Sequence, residues 1–333
     1  MDARPSAPNY VSNIVHTTPP HHPPRSAARD AFVLGHRGAR NVVHADRPYA
    51  FFVEEEAGPS GDVGPVVTIF LTNRECPYRC VMCDLWRNTL AVSVPSGAIA
   101  RQIDVALAAL PAAATVKLYN SGSFFDHRAI PPDEYEAIAR RLRGFDRVIV
   151  ECHPSLVGDD VLRFRDLLEG RLEVAMGLET AHPAVLEQLN KRMTLESYIA
   201  ATERLRGYGV DTRAFVLVQP PFLPAAEAVD WAVRSAAFAF EHGAGAVSLI
   251  PVRAGNGALD AMVADGSFRE PHLSTLEDAF DAALALGAGR VFADTWDLAR
   301  FSSCARCIDA RLRRLMDMNL TQRLIARAGC DAC

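Results

Sequence analysis

Three cysteines fall within eight positions of the stretch TNRECPYRCVMCDLW, residues 72–86: Cys76, Cys80 and Cys83. Thiols clustered this tightly point to metal or redox chemistry rather than to disulfides. Structural zinc takes four ligands, so three thiolates in one loop leave a gap. Iron–sulfur clusters are also held by thiolates, usually four. A cubane 4Fe–4S cluster with three protein cysteines keeps one iron open to a substrate or cofactor. A second group, Cys304, Cys307, Cys330 and Cys333, forms two Cys-x₂-Cys pairs with 22 residues between them. Four thiolates complete a closed zinc site or hold an auxiliary iron–sulfur cluster, and the spacing leaves both open.

The elements that must position these groups follow a βα rhythm. Short β-branched runs at 66–72, 115–120, 147–152, 172–178, 211–219 and 246–252 have the length and flanks of buried strands. Helical segments alternate with them. In the helix expected over 224–243, Val229, Ala232, Val233, Ala236, Ala237 and Phe240 make one apolar stripe. Ser274–Glu277 reads as a capping box that opens another helix. Six strands alternating with six helices imply a parallel sheet with right-handed crossovers. The expected fold is α/β: a partial (β/α)₆ TIM-like barrel with a cysteine-rich helical appendage at its C-terminal end. Its functional face is the C-terminal end of the strands, where Cys76–Cys83 sit after strand one. The expected organisation is an extension with one strand over 1–60, the barrel over 61–300 and the appendage over 301–333.

Cys-x₃-Cys-x₂-Cys after the first strand of a βα barrel resembles the radical S-adenosylmethionine (radical SAM) superfamily. The segments KLYNSGSFFD, ECHP, AMGLET, LNKRMTLESYIAA and VLVQPPFLPAAEAVDWAVRS extend the resemblance. They are similar to the radical subunit of archaeosine synthases and, more distantly, to elongator-type radical SAM domains, over roughly residues 66–280. The resemblance implies that S-adenosylmethionine chelates the open iron and is cleaved by one electron. The 5′-deoxyadenosyl radical then abstracts a substrate hydrogen atom, while the protein positions the cofactor. It implies a cofactor site at Met82, at Asn120, Ser121, Gly122 and Ser123, at the strand-end carboxylates Glu151 and Glu179, and at Arg192 beside Lys191. The plainer readings are an ordinary βα turn, structural ion pairs and a solvated helix start. The chain departs from the archaeosine pattern at Glu151-Cys152-His153-Pro154 and at REPHLSTLE, where substrate contacts are expected. Cys152 and His153 read either as substrate-facing groups or as a buried thiol and a satisfied imidazole.

Composition bounds the partners. A formal net charge of −5 argues against non-specific coating of nucleic acid. No apolar run approaches a membrane span, and no signal-peptide core is present, so a cytoplasmic protein without membrane contact is expected. The early HTTPPHHPPR holds His16, His21 and His22, either metal ligands or part of a flexible tail. Near the other end, Leu312, Leu315, Leu320 and Leu324 suggest a packed helix carrying Arg311, Arg313, Arg314, Arg323 and Arg327. That surplus fits phosphate contact or a solvated face. The expected function is hydrogen abstraction from a small molecule or peptide. The alternatives are a tRNA base-modifying enzyme and a non-enzymatic metal-binding scaffold. The implied electron donor is a flavodoxin or ferredoxin.

Overall fold

Side chains alternate across each strand of this protein, and the two faces differ sharply. The computed structural model describes residues 26–332. Eight strands form one sheet in sequence order. They are β1 (Ala50–Ala57), β2 (Val63–Phe70), β3 (Thr115–Tyr119), β4 (Arg147–Cys152), β5 (Arg171–Glu179), β6 (Asp211–Val218), β7 (Ala246–Pro251) and β8 (Arg290–Ala293). β1 pairs antiparallel with β2, and every later pairing is parallel. The six expected strands are β2 to β7. The antiparallel β1 and the four-residue β8 extend the sheet at its two edges.

Among the described residues, ten α-helices accompany the strands: α1 (Ser26–Gly35), α2 (Ala98–Ala109), α3 (Tyr135–Arg141), α4 (Asp159–Leu167), α5 (Pro183–Gln188), α6 (Leu195–Gly207), α7 (Ala228–Glu241), α8 (Ala258–Ala264), α9 (Leu273–Ala285) and α10 (Ile308–Thr321). The main core lies between helices and sheet. Val67, Val116, Val148, Val150, Val174, Met176, Val216, Val247 and Val291 all have 0% exposure there. Burial of β-branched side chains on this face is the dominant stabilising term.

The opposite face lines a lumen. At its lower end Lys117 reaches Glu54 at 2.7 Å and Glu56 at 2.5 Å. Arg213 joins Glu56 at 2.5 Å and Glu173 at 2.7 Å. These pairs link β1 to β3 and β6, so the sheet curls into a part-closed barrel. Arg290 of β8 donates to the Ala57 carbonyl of β1 at 3.0 Å, bridging the gap between the edge strands.

Several local expectations are corrected. In α7 the buried residues are Ala228, Trp231, Ala232, Ser235, Ala236 and Ala239, and Ala237 is exposed. The stripe is rotated because Ser235 is an internal tie: its hydroxyl donates to Trp231 O at 2.6 Å and accepts from Ala181 N–H at 2.8 Å. The capping box at Ser274–Glu277 does not form, because α9 already begins at Leu273 and Glu277 pairs with Arg311 at 2.7 Å. Leu315 and Met318 are the buried apolar residues of α10, whereas Leu324 lies beyond the helix and is exposed. α10 packs on β1 and β8. Asn319 and Gln322 bond both polar groups of Ala293 and Val291 at 2.8–2.9 Å, taking the place of a ninth strand along the β8 edge. Among the described residues, no helix is long and apolar enough to cross a membrane. His16, His21 and His22 lie outside the described residues.

Candidate active site

β2 runs straight into the cysteine loop, which is fixed at both ends. Thr72 exchanges two bonds with the Gln102 amide, each 2.7 Å. Asn73 Nδ2 donates to Asn120 O at 2.6 Å, tying this loop to the end of β3. Leu90 N–H donates to Asn73 O at 2.8 Å, and Glu75 N–H to Leu90 O at 2.9 Å.

Distant elements hold the loop from outside. Val81 N–H donates to Leu189 O at 2.9 Å. Asn190 Nδ2 donates to Arg79 O at 2.8 Å, and Asn256 Nδ2 to Val81 O at 2.6 Å. Met82 packs against the apolar cluster that includes Val33, Leu189 and Leu259. Glu75, next to Cys76, pairs with Arg37 at 2.6 Å, with Arg79 at 3.1 Å and with Arg40. Burial alone would raise its carboxyl, but the Arg37 hydrogen bond and charge outweigh that and lower it.

The three thiols are free and half-buried. Burial pushes Cys80 up to about 12 and raises Cys76 and Cys83 as well, while the Lys191 charge opposes the shift at Cys76 and Cys80. Proton loss from such thiols is favourable only when a metal replaces the proton. Their Sγ atoms do not lie mutually within 4.8 Å, whereas those of Cys304, Cys307 and Cys330 do. A wide triad suits a cubane, in which each thiolate binds a different iron.

Beside Cys76, the turn after β3 comes unusually close. A Cβ on Gly122 would stand 3.2 Å from Cys76 Cβ. Glu151, at the end of β4, organises this turn by accepting from Asn120 N–H at 2.5 Å and Gly122 N–H at 3.2 Å. Burial raises the Glu151 carboxyl to about 7, against the pull of those N–H groups. Ser121 adopts φ 54° and pairs with the Tyr49 hydroxyl at 3.0 Å. Ser123 Oγ accepts from His153 N–H at 2.7 Å. The Asn120 side chain is fully buried, and neither its oxygen nor its nitrogen has a partner among the described residues. Such an amide is costly unless a further group meets it.

Glu179 ends β5 after a bulge and adopts φ 66°. It pairs with Lys191 at 2.6 Å. Gly177 makes room for this pair, since a Cβ there would stand 2.2 Å from Glu179 Oε1 and 2.5 Å from Lys191 Nζ. Arg192 departs from the expected cofactor site. Its positive φ of 58° turns the side chain outward to pair with Asp30 of α1. Lys191 is therefore the inward cation.

Cys152 is buried on the helix side of β4. His153 Nε2 donates to Lys191 O at 2.9 Å, and its Nδ1 accepts from Ser155 N–H at 3.2 Å. Burial and the Lys191 charge depress this imidazole to about 3, and it stacks on Tyr78 with centroids 3.9 Å apart. Both ring nitrogens are occupied, which is the plainer of the two readings. Tyr49 and Asn256 joined the site unannounced, because neither lies in a segment singled out by the sequence, whereas Asn190 lies in LNKRMTLESYIAA but had no role there.

The second cysteine group is local and tight. Cys304 and Cys330 sulfurs stand 3.8 Å apart. A tetrahedral ion with metal–sulfur bonds of about 2.3 Å separates its thiolates by about 3.8 Å. The Arg306 and Cys307 backbone N–H groups lower the Cys304 thiol to about 6. Cys333 lies outside the described residues.

Residues 70–228 match the Radical SAM superfamily model. An uncharacterised protein of Methanocaldococcus jannaschii is 26% identical over 254 residues, 72% of this chain and 70% of that protein. Archaeosine synthase subunit beta of Methanosarcina acetivorans is 29% identical over 177 residues, so this chain spans about half of that relative, 51%. The Methanocaldococcus infernus Elp3 structure lacking its N-terminus gives a TM-score of 0.48 at 14% identity, covering 66% of this chain and 58% of that one. The family implies a 4Fe–4S cluster and S-adenosylmethionine. The wide triad, the Gly122 cradle against Cys76 and the orphaned Asn120 amide fit those groups. The match of residues 70–228 to the Radical SAM superfamily model supports an enzyme over the non-enzymatic scaffold.

Proposed function

We propose that Cys76, Cys80 and Cys83 hold a 4Fe–4S cluster, and that S-adenosylmethionine binds beside it against Asn120, Ser121, Gly122 and Ser123. Bound there, the cluster and S-adenosylmethionine would supply radical chemistry for hydrogen-atom abstraction from the substrate. The chain's own residues do the positioning. Asn120 offers an unpartnered acceptor and donor toward the methionine end, Met82 gives apolar contact near the adenine, and the Glu151 carboxylate keeps the turn in place. The Glu179–Lys191 pair sets the local charge beside the thiols. Arg192 is not carried into this assignment, because Asp30 occupies it. An electron donor such as a flavodoxin or ferredoxin completes the chemistry.

The substrate we favour is a small molecule or peptide. One observation carries that choice: three of the five C-terminal arginines are already neutralised. Arg311 pairs with Glu277 at 2.7 Å, Arg314 with Asp281 at 2.6 Å, and Arg327 with Asp278 at 2.6 Å. Arg313 and Arg323 are exposed without such partners among the described residues, too few for a phosphate-tracking face. A tRNA base is the second reading, supported by the archaeosine synthase relatives. Anaerobic assay for 5′-deoxyadenosine tests the chemistry. A tRNA titration across salt tests the substrate: no binding at low salt is expected, and a steep salt slope would reverse the choice.

A further inference from the structure

The inner face of the sheet carries a continuous run of aromatic rings. Tyr49 meets Phe70 at 5.4 Å between centroids, Phe70 meets Tyr119 at 5.9 Å, and Tyr119 meets Phe215 at 6.2 Å. Phe52 lies 5.8 Å from Phe70 and 5.9 Å from Trp296, which is 61% exposed. Tyr49, Phe52, Phe70, Tyr119 and Phe215 are only half-buried. Their strand neighbours on the helix side, Ile69, Leu118, Ala214 and Val216, are 0% exposed. Rings that existed only to fill a core would be closed over as those residues are.

The run has a floor and a roof. Lys117 and Arg213 sit two residues before Tyr119 and Phe215 on the same face, hence one layer lower. Their charges are matched by Glu54, Glu56 and Glu173, so the floor is closed and needs no charged ligand. Above, Tyr49 bonds Ser121, whose neighbour Gly122 packs on Cys76. The rings therefore lie directly under the cysteine loop. Tyr119 meets both Phe70 and Phe215 edge-on, with interplanar angles of 68° and 82°. Such a geometry leaves ring faces free to stack on a guest. The hydroxyls of Tyr119 and of the half-buried Ser248 on β7 bond to no group among the described residues. Two such hydroxyls beside a run of half-buried rings are polar contacts of the kind that orients a small ligand.

We propose that this lumen binds a flat, uncharged heteroaromatic ring, which is the part of the substrate presented to the cysteine loop. The inference rests on the hydrogen-abstraction reading above for its purpose, but not for its evidence. The test uses the full chain, reconstituted anaerobically and saturated with S-adenosylmethionine, with benzimidazole and its fully saturated counterpart as probes in calorimetry. Benzimidazole is expected to bind at least about tenfold more tightly than the saturated compound, and Phe215→Leu to cost about tenfold for benzimidazole alone. Phe215→Tyr, which keeps the ring, is expected to restore binding and so separates loss of stacking from misfolding. Equal binding of both probes, no binding of either, or full retention by Phe215→Leu would overturn the inference. Assay of 5′-deoxyadenosine in the same samples keeps the two claims apart. Cleavage without ring selectivity removes only the lumen site, and ring selectivity without cleavage removes only the proposed function.

Discussion

The two cysteine groups of this protein solve opposite problems. Cys76, Cys80 and Cys83 share one loop, yet their sulfurs do not all converge within 4.8 Å, and the loop is gripped by Leu189, Asn190 and Asn256 from far along the chain. Cys304, Cys307 and Cys330 come from two segments and still converge within 4.8 Å. Burial raises the first thiols, while backbone N–H groups lower Cys304. Separation with support from the whole barrel suits a cluster that must leave a face open. Convergence suits a single ion that clips the start of α10 and the following coil together.

Removing a ligand breaks the comparison most severely. Cys83→Ala is expected to abolish 5′-deoxyadenosine formation and remove the cluster iron, while the C-terminal metal stays. Metal analysis alongside the assay checks both halves. The reciprocal change, Cys304→Ser, should release the C-terminal ion and lower the melting temperature by about 5 °C, with iron at the first triad intact. Thermal unfolding with zinc analysis reads this directly. If Cys304→Ser also emptied the first triad, the two sites would not be independent.

A subtler change tests the claim of outside support. Asn256→Ala deletes the bond to Val81 O and leaves Leu259 N–H without its acceptor. A loss of about 2 kcal/mol is expected by denaturant titration, together with faster loss of iron from the first triad only. Unchanged iron retention would mean that the loop holds itself.

His153 gives the smallest effect. Its value of about 3 lies below the ordinary 6.5, so the unfolded chain binds more protons between them. The His153 contribution to stability is complete above about pH 6.5 and is lost as the pH falls toward 3. Carbon resonances of the ring should therefore stay in the neutral, Nε2-protonated form from about pH 8 to pH 5. Titration near 6.5 would show that the imidazole is not enclosed as described.

The parts legible in the sequence were those written in local pattern. Strands β2–β7 are β-branched runs, and their alternation with helices implies a barrel without any long-range information. β8 has four residues and depends on Asn319 and Gln322, which no local pattern announces. At the site, the cysteine spacing pointed to its chemistry. The partners of Glu151, Glu179 and Arg192 did not follow, because an ion pair is decided by backbone turns such as the positive φ of Arg192. Acidic residues lie in plain view at Glu277, Asp278 and Asp281, yet only the packing of α9 on the C-terminal segment shows that they neutralise Arg311, Arg314 and Arg327.

Metal and sulfide content of the anaerobically reconstituted chain tests the central contrast most directly. The account predicts about four iron, four sulfide and one zinc per chain, with Cys83→Ala losing only the iron and sulfide and Cys304→Ser only the zinc. About eight iron with no zinc, falling by half in either variant, would contradict it.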